Sequence, residues 1–279
     1  MRTIKRDKYY YLQHSYREKG KVITKEKYLG TEIPLSLEQQ KLELRQEEQK
    51  ALHQKLKKIK EEFQKEWKRA PESAKQREMQ EIAIAFTYHT NAIEGSTITL
   101  EETREIIADQ VAPNKPLRDV RETEAHARVF LEMLETPDKI SKELLLKWHQ
   151  DIFGETKADI AGRFRDFGIR VGMYRAPDWQ DVEKLMKGFF QFLIQKEIHS
   201  VELAARAHYR FEMIHPFGDG NGRIGRLIMN HILWHHGYLM LIIEYAKRHS
   251  YYRALQKGEE GFVRYFMQRY LRAHQKKAK

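Results

Sequence analysis

The segment His215-Pro-Phe-Gly-Asp-Gly-Asn-Gly-Arg-Ile-Gly-Arg226 constrains this chain more than any other. Gly218, Gly220 and Gly222 allow the backbone to turn tightly and to approach a ligand closely. Apolar residues then recur at helical spacing: Ile224, Leu227, Ile228, Ile232 and Leu233. A tight turn therefore feeds a helix N-terminus, where unpaired N–H groups and the helix dipole attract an anion. Arg223 and Arg226 lie one turn apart on that helix, and guanidinium groups suit phosphate. Asp219 would repel a phosphate unless a cation bridged them. Mg²⁺ does this, since it binds through one or two carboxylates together with phosphate oxygens. His215 titrates near neutrality and can take a proton from an attacking hydroxyl. A base, a metal ligand, an anion site and two cations are what phosphoryl or nucleotidyl transfer requires. The spacing matches neither the P-loop nor the dinucleotide-binding fingerprint.

The rest of the chain reads as mostly helical. Residues 8–30 are the first exception. Tyr9, Tyr11, Val22, Thr24 and Tyr28 around a turn at Glu18-Lys19-Gly20 predict a small hairpin or three-stranded meander. From Pro34 and Ser36 to about Arg69, Leu52, Leu56, Ile59, Phe63 and Trp67 form one narrow apolar stripe on a polar helix, ended by Pro71. Further helices are predicted over 72–91, 99–110, 118–134, 141–152, 178–195, 200–214, 221–236 and 247–274, each split or trimmed at its glycine and proline signals. The second exception is Gly162–Pro177, where three glycines, alternation at Ile169 and Val171 and a closing proline predict a β-hairpin among helices. Such a hairpin suits a flap over a site. The predicted division is a β element over 1–33, a long charged helix over 34–71, and a catalytic region over 72–275.

Composition narrows the functions open to the chain. Its 279 residues contain no cysteine, which excludes thiol nucleophiles, disulfides and cysteine–zinc sites. No apolar run reaches the roughly 20 residues of a membrane helix. The basic start Met1–Lys8 lacks the apolar stretch of a secretory signal. A cytoplasmic protein without membrane contact is expected. The net charge of +11 is uneven, with +8 carried by residues 1–70. A basic front end suits either a solvated helix or an acidic partner such as nucleic acid.

The 215–226 segment resembles the signature of Fic (Fido) domains, His-Pro-Phe-x-Asp/Glu-Gly-Asn-Gly-Arg-x-x-Arg, at every fixed position. The resemblance runs from about residue 82 to 272, with the Fido core at about 140–272. It takes in Ala161-Gly-Arg-Phe-Arg, Pro177, Ala204–Tyr209 and Tyr251-Tyr252. It implies a mainly α, Fic-type helical domain with a β-hairpin flap, beside the small N-terminal β element and the long linking helix. It implies transfer of AMP from ATP to a Ser, Thr or Tyr hydroxyl of a target protein, with Mg²⁺. His215 would be the catalytic base and Asp219 the metal ligand. Gly220, Asn221 and Gly222 would hold the α- and β-phosphates. Arg223 would contact the β-phosphate and Arg226 the γ-phosphate, with Ile224 and Gly225 between them in the nucleotide-binding set. Val171, Gly172, Met173 and Tyr174 would form the flap that positions the target by strand addition. Tyr251 and Tyr252 would lie near the nucleoside, with helix packing as their alternative role.

Upstream, Thr90-Asn-Ala-Ile-Glu94-Gly95 resembles the inhibitory motif of the same family. Glu94 at a helix end would pair with Arg226 and occupy the arginine that the γ-phosphate needs. Gly95 would cap the helix and set where Glu94 points. The implied protein is a self-inhibited adenylyltransferase, acting on a hydroxyl-bearing protein that includes itself as a candidate, with a homodimer or partner as the release. Three rival readings are removal of AMP from a target, transfer from another nucleotide donor, and a nucleic-acid-binding regulator with a degenerate site. His231, His235 and His236, the tryptophans Trp148, Trp179 and Trp234, and Lys55, Lys57, Lys58 and Lys60 read as packing or solvated positions.

Overall fold

A computed structural model describes residues 1–18, 21–34, 36–195 and 197–275. The chain divides into two compact units, Met1–Leu56 and Lys57–Lys279. In the first unit, β1 (Arg2–Arg6), β2 (Tyr9–Glu18) and β3 (Lys21–Gly30) form an antiparallel meander in the order β1-β2-β3. Arg6 pairs with Tyr9 across a two-residue turn in which Asp7 takes a φ of 54°, a left-handed conformation that aspartate tolerates better than most residues. Tyr11 stands opposite Tyr28, and their rings lie 5.5 Å apart. Strand β1 lies inside the predicted 1–33 β element but ahead of residues 8–30, whose pattern carries the strand signal. With a single apolar residue among five, Arg-Thr-Ile-Lys-Arg carries little strand signal, and only pairing with β2 makes it one. The predicted turn residues Lys19 and Gly20 lie outside the described residues.

Helix α1 (Leu37–Arg69) runs through the boundary between the units. Within the second unit its Ile59 and Phe63 are buried, and Trp67 meets Trp234 edge-on at 5.4 Å. There follow α2 (Glu72–Ile93), α3 (Leu100–Arg104), α4 (Leu117–Glu135) and α5 (Lys142–Phe153). A hairpin of β4 (Arg170–Val171) and β5 (Tyr174–Arg175) comes next, and then α6 (Val182–Leu193), α7 (Ser200–Ile214), α8 (Asn221–His235), α9 (Arg248–Leu255) and α10 (Gly258–Ala273). The fold is mainly α. Three predicted helices are shorter or broken. The 99–110 helix closes as α3 plus one wide π-turn over Glu105–Asp109. The 178–195 helix begins with a 3₁₀ turn over Trp179–Asp181. The 247–274 helix breaks at Gly258, whose φ of 77° takes the left-handed conformation open to glycine.

Helix α8 forms the centre of the second unit. Ile224, Leu227, Ile228, Met229 and Leu233 are fully enclosed by α2, α4, α5 and α7. Burial on nearly every face is the pattern of a central helix rather than an amphipathic surface one. Its N-terminus is therefore fixed by packing, and the 215–220 turn joins it to α7. Among the described residues, no helix is long and apolar enough to cross a membrane.

Candidate active site

The turn between α7 and α8 brings the signature residues together. His215 ends α7 in a left-handed conformation, φ 52° and ψ 59°, which is uncommon for a residue with a Cβ. Arg165 holds it there: its Nε donates to the His215 carbonyl at 2.8 Å, and its Nη1 and Nη2 donate to the carbonyls of Phe167 and Pro177 at 2.9 and 2.7 Å. One buried guanidinium thus ties the base of the hairpin to the signature turn. His215 Nδ1 lies 3.3 Å from the Glu212 carbonyl. A carbonyl can only accept, so Nδ1 carries the proton and Nε2 keeps its lone pair. Burial holds the imidazole pKa below its ordinary value, against the opposing pull of the Glu212 carbonyl, so the ring is neutral at pH 7.

The loop closes on itself through Asn221. Its Oδ1 accepts from the Phe217 N–H at 2.9 Å, and its Nδ2 donates to the Phe217 carbonyl at 2.8 Å. The Asn221 side chain is thus used for loop closure, and what residue 221 offers an anion is its backbone N–H. The first helical bond of α8 runs from the Ile224 N–H to the Gly220 carbonyl, so the N–H groups of Asn221, Gly222 and Arg223 have no helical acceptor. Gly220 has a φ of 75°, and a Cβ there would collide with the Phe153 ring. Gly222 lets Glu94 reach the helix end, since a Cβ would overlap the Glu94 carboxylate.

Arg226 is 1% exposed and fully committed. Its Nη2 donates to Glu94 Oε1 at 2.6 Å, and its Nε donates to Thr90 Oγ1 at 2.6 Å. Glu94 is set by the end of α2. The Gly95 N–H donates to the Ala92 carbonyl and the Ser96 N–H to the Asn91 carbonyl, while Gly95 turns left-handed at φ 91°. This is a Schellman cap. Behind Arg226 lies Glu212, buried on α7, whose carboxyl burial pushes up to about 7.

Arg223 does not stand open to a ligand either. It pairs with Glu122 of α4 and lies over the Phe153 ring, 4.3 Å from its centre. Glu122 also accepts from Thr156 Oγ1 at 2.9 Å and from Lys157 Nζ at 2.8 Å. Lys157 reaches on to Asp219 Oδ2 at 2.9 Å. Burial works against the charged forms of Glu122 and Asp219. Arg223 and Lys157 outweigh it, so both carboxyls titrate below their ordinary values. His149 of α5 pins the loop from below. Its Nδ1 accepts from the Gly162 N–H at 3.0 Å, which leaves Nε2 to donate to the Asp219 carbonyl at 3.0 Å. Its ring stacks on Phe217, and burial lowers its pKa to about 4, so it stays neutral.

Glu122, His149, Lys157 and Arg165 carry no role in the sequence analysis. Arg165 lies in the Ala161-Gly-Arg-Phe-Arg segment singled out by resemblance, so a signal for it existed. The other three sit on ordinary charged or amphipathic stretches. The hairpin residues Val171, Gly172, Met173 and Tyr174 are exposed, and Met173 is 98% so. The Tyr174 hydroxyl donates to the Met213 carbonyl at 2.6 Å, which anchors the tip beside His215. Tyr251 takes the packing role, the second of its two expected roles. It is 1% exposed, with its hydroxyl 2.8 Å from His208 Nε2, so it packs α9 against α7. Tyr252 is 38% exposed and donates to the Ile93 carbonyl at 3.0 Å, beside the end of α2.

Residues 139–233 match the Fic/DOC family. The chain therefore carries a Fic domain. It is 35% identical over 199 residues to "Protein adenylyltransferase Fic" of Nematostella vectensis, which is 68% of this chain and 47% of that protein. It is 34% identical over 212 residues to "Protein adenylyltransferase fic-1" of Caenorhabditis elegans, 72% of this chain and 41% of that protein. The chain spans less than half the length of these curated relatives. Among solved structures, it superposes on Fic-1 from C. elegans with a TM-score of 0.71 at 28% identity, over 87% of this chain and 75% of that one. A Fic family protein from Desulfovibrio desulfuricans G20 gives 0.68 at 29% identity, over 81% and 73%.

Proposed function

We propose that this chain is a protein adenylyltransferase held inactive by its own Glu94. The observation that carries this reading is the buried Arg226, whose guanidinium is bound by Glu94 and Thr90 at the mouth of an anion-binding helix N-terminus. The names of the adenylyltransferase relatives support the donor as ATP and the acceptor as a protein.

In the proposed reaction a Ser, Thr or Tyr hydroxyl loses its proton to His215 Nε2. Its oxygen forms a bond to the α-phosphorus, and the bond to the β-phosphate oxygen breaks, releasing pyrophosphate. The free N–H groups at the start of α8 would receive phosphate oxygens, with the Gly220 turn allowing close approach. Arg226, once released by Glu94, would meet the γ-phosphate. With Glu94 in place, two negative groups would compete for one arginine, and the triphosphate would bind poorly or out of line. The exposed hairpin edge at Val171–Tyr174 would align the target chain beside His215. A partner or second copy acting on α2 would shift Glu94 and release the brake.

Magnesium fits the donor set. Asp219 offers one half-exposed carboxylate of hard oxygen atoms at the start of the anion site, which matches a cation held through one carboxylate and phosphate oxygens. When bound, it would neutralise phosphate charge on the donor and the leaving pyrophosphate. A second reading, removal of AMP from a modified protein, draws on Glu94 itself. Its side chain is 34% exposed and faces the helix N-terminus, where a carboxylate can orient water.

The test uses ATP labelled at the α- or the γ-phosphate with the Glu94→Gly variant. The proposal expects α-label and no γ-label in protein. Adding His215→Ala should lower the rate by about 10²–10⁴-fold. Because burial depresses the His215 pKa, the rate should start to fall only below pH 6.5. Transfer of γ-label would instead identify a kinase-type reaction.

A further inference from the structure

Lys157 lies in the turn after α5, outside the signature, and its ammonium is shared between two carboxylates. Nζ stands 2.8 Å from Glu122 Oε1 and 2.9 Å from Asp219 Oδ2. The lysine side chain is 17% exposed, Glu122 is 8% exposed and Asp219 is 50% exposed. The contact with Glu122 is therefore sheltered and the contact with Asp219 faces solvent. Glu122 is further held by Thr156 and Arg223, so its position does not depend on Lys157. Asp219 is the carboxylate of the signature loop, and its Oδ1 already accepts the Gly220 N–H at 2.6 Å. Its other oxygen, Oδ2, which a hard cation would use, is the one Lys157 occupies, with Arg223 Nη2 more distant at 4.0 Å.

An ammonium and a divalent cation cannot both sit against that oxygen without strong repulsion. We infer that Lys157 is an internal competitor for divalent metal at Asp219, and that Glu122 retains the ammonium when the metal takes the carboxylate. The inference rests on the nucleotidyl-transfer reading above. The exchange leaves no charge stranded, since Lys157 gives up its exposed partner and keeps its buried one. The metal affinity of the site is then set by a residue outside the signature, and the enzyme responds to magnesium over a higher concentration range than the loop alone would give. Lys157 is a positioning residue in this account, acting through Asp219.

The test measures Mn²⁺ binding directly, by the electron paramagnetic resonance signal of free Mn²⁺ in the presence of α,β-methylene-ATP. The full chain carries Glu94→Gly throughout, alone or with Lys157→Met or Lys157→Arg. Removing one cation from a partly exposed ion pair predicts binding about three- to ten-fold tighter in Lys157→Met. Lys157→Arg keeps the charge and should bind as the parent does. The half-saturating magnesium concentration for protein labelling should fall in parallel in Lys157→Met. Equal affinity in all three, or weaker binding in Lys157→Met, overturns the inference and leaves the transfer reaction standing. No Mn²⁺–nucleotide binding in any of them, with melting curves showing folded protein, overturns the reading of the site and the inference with it.

Discussion

Arg223 and Arg226 leave the same helix one turn apart, and each is met by a carboxylate from a distant part of the chain, but the two pairs are built differently. Glu122 sits in the body of α4, 8% exposed, with three donors around it. Glu94 sits at the C-cap of α2, 34% exposed, with its backbone set by a cap rather than by a surrounding core. Arg226 also has a second carboxylate behind it, the buried Glu212, whereas Arg223 has only the exposed Asp219 at 4.0 Å beside Glu122. A pair enclosed on both sides holds the fold, and a pair with one partner on a cap can be opened. On the proposed reading, the same chemistry serves as architecture at one end of the site and as a latch at the other.

The largest effect expected from this contrast is on stability. Glu122→Ala leaves Arg223 buried without its main partner and should cost about 3–5 kcal/mol, read from the shift of the urea midpoint. Glu94→Ala should cost well under half of that, because Glu212 can ionise beside Arg226. Equal losses would erase the distinction between the two pairs.

Glu212 sharpens the contrast through pH. Its carboxyl titrates at about 7 in the folded protein against an ordinary value of 4.5, so the folded state binds the proton more tightly. Its contribution to stability is complete below 4.5 and is lost as pH rises through 7, by up to about 3 kcal/mol. Stability of the wild-type protein should therefore decline over that window, and Glu212→Gln should flatten the decline. In Glu94→Gly the decline should move to lower pH, because one of the charges that raises the Glu212 pKa is gone. A profile identical in Glu94→Gly and wild type would mean that the two carboxylates do not share Arg226.

The smallest effect concerns Thr90. Thr90→Val removes the hydroxyl that accepts from Arg226 Nε, a loss of about 1 kcal/mol to the latch. Protein labelling should rise about three- to five-fold, well short of the effect of removing Glu94. No rise would place the whole hold on Glu94 alone.

How much of this is legible in the sequence depends on whether the signal is local. The 215–226 turn is legible because glycines, arginines and a helix start stand in one short run. Glu94 is legible through the resemblance of Thr90–Gly95 to the family's inhibitory motif, and Gly95 marks the helix end beside it. The helical character of the second unit is legible from periodicity and the split at Gly258 from its glycine, whereas the π-turn over Glu105–Asp109 has no glycine or proline to announce it. Glu122 and Lys157 are not legible. Glu122 meets an arginine 101 residues away, and nothing in Arg-Glu-Thr-Glu on α4 separates it from a solvated face. Tyr251 is legible only as a pair of readings, a nucleoside contact or helix packing, and the packing of α9 on α7 encloses it. Strand β1 becomes a strand only through its neighbour.

The most direct test of the central claim compares α-phosphate labelling of protein by wild type and Glu94→Gly at equal concentration, with magnesium and ATP. The account predicts a rise of at least about ten-fold in Glu94→Gly, the effect of freeing one charge-assisted contact at the γ-phosphate. Equal labelling by the two proteins, both folded at the assay temperature, would show that the Glu94–Arg226 pair is structural and that the latch lies elsewhere.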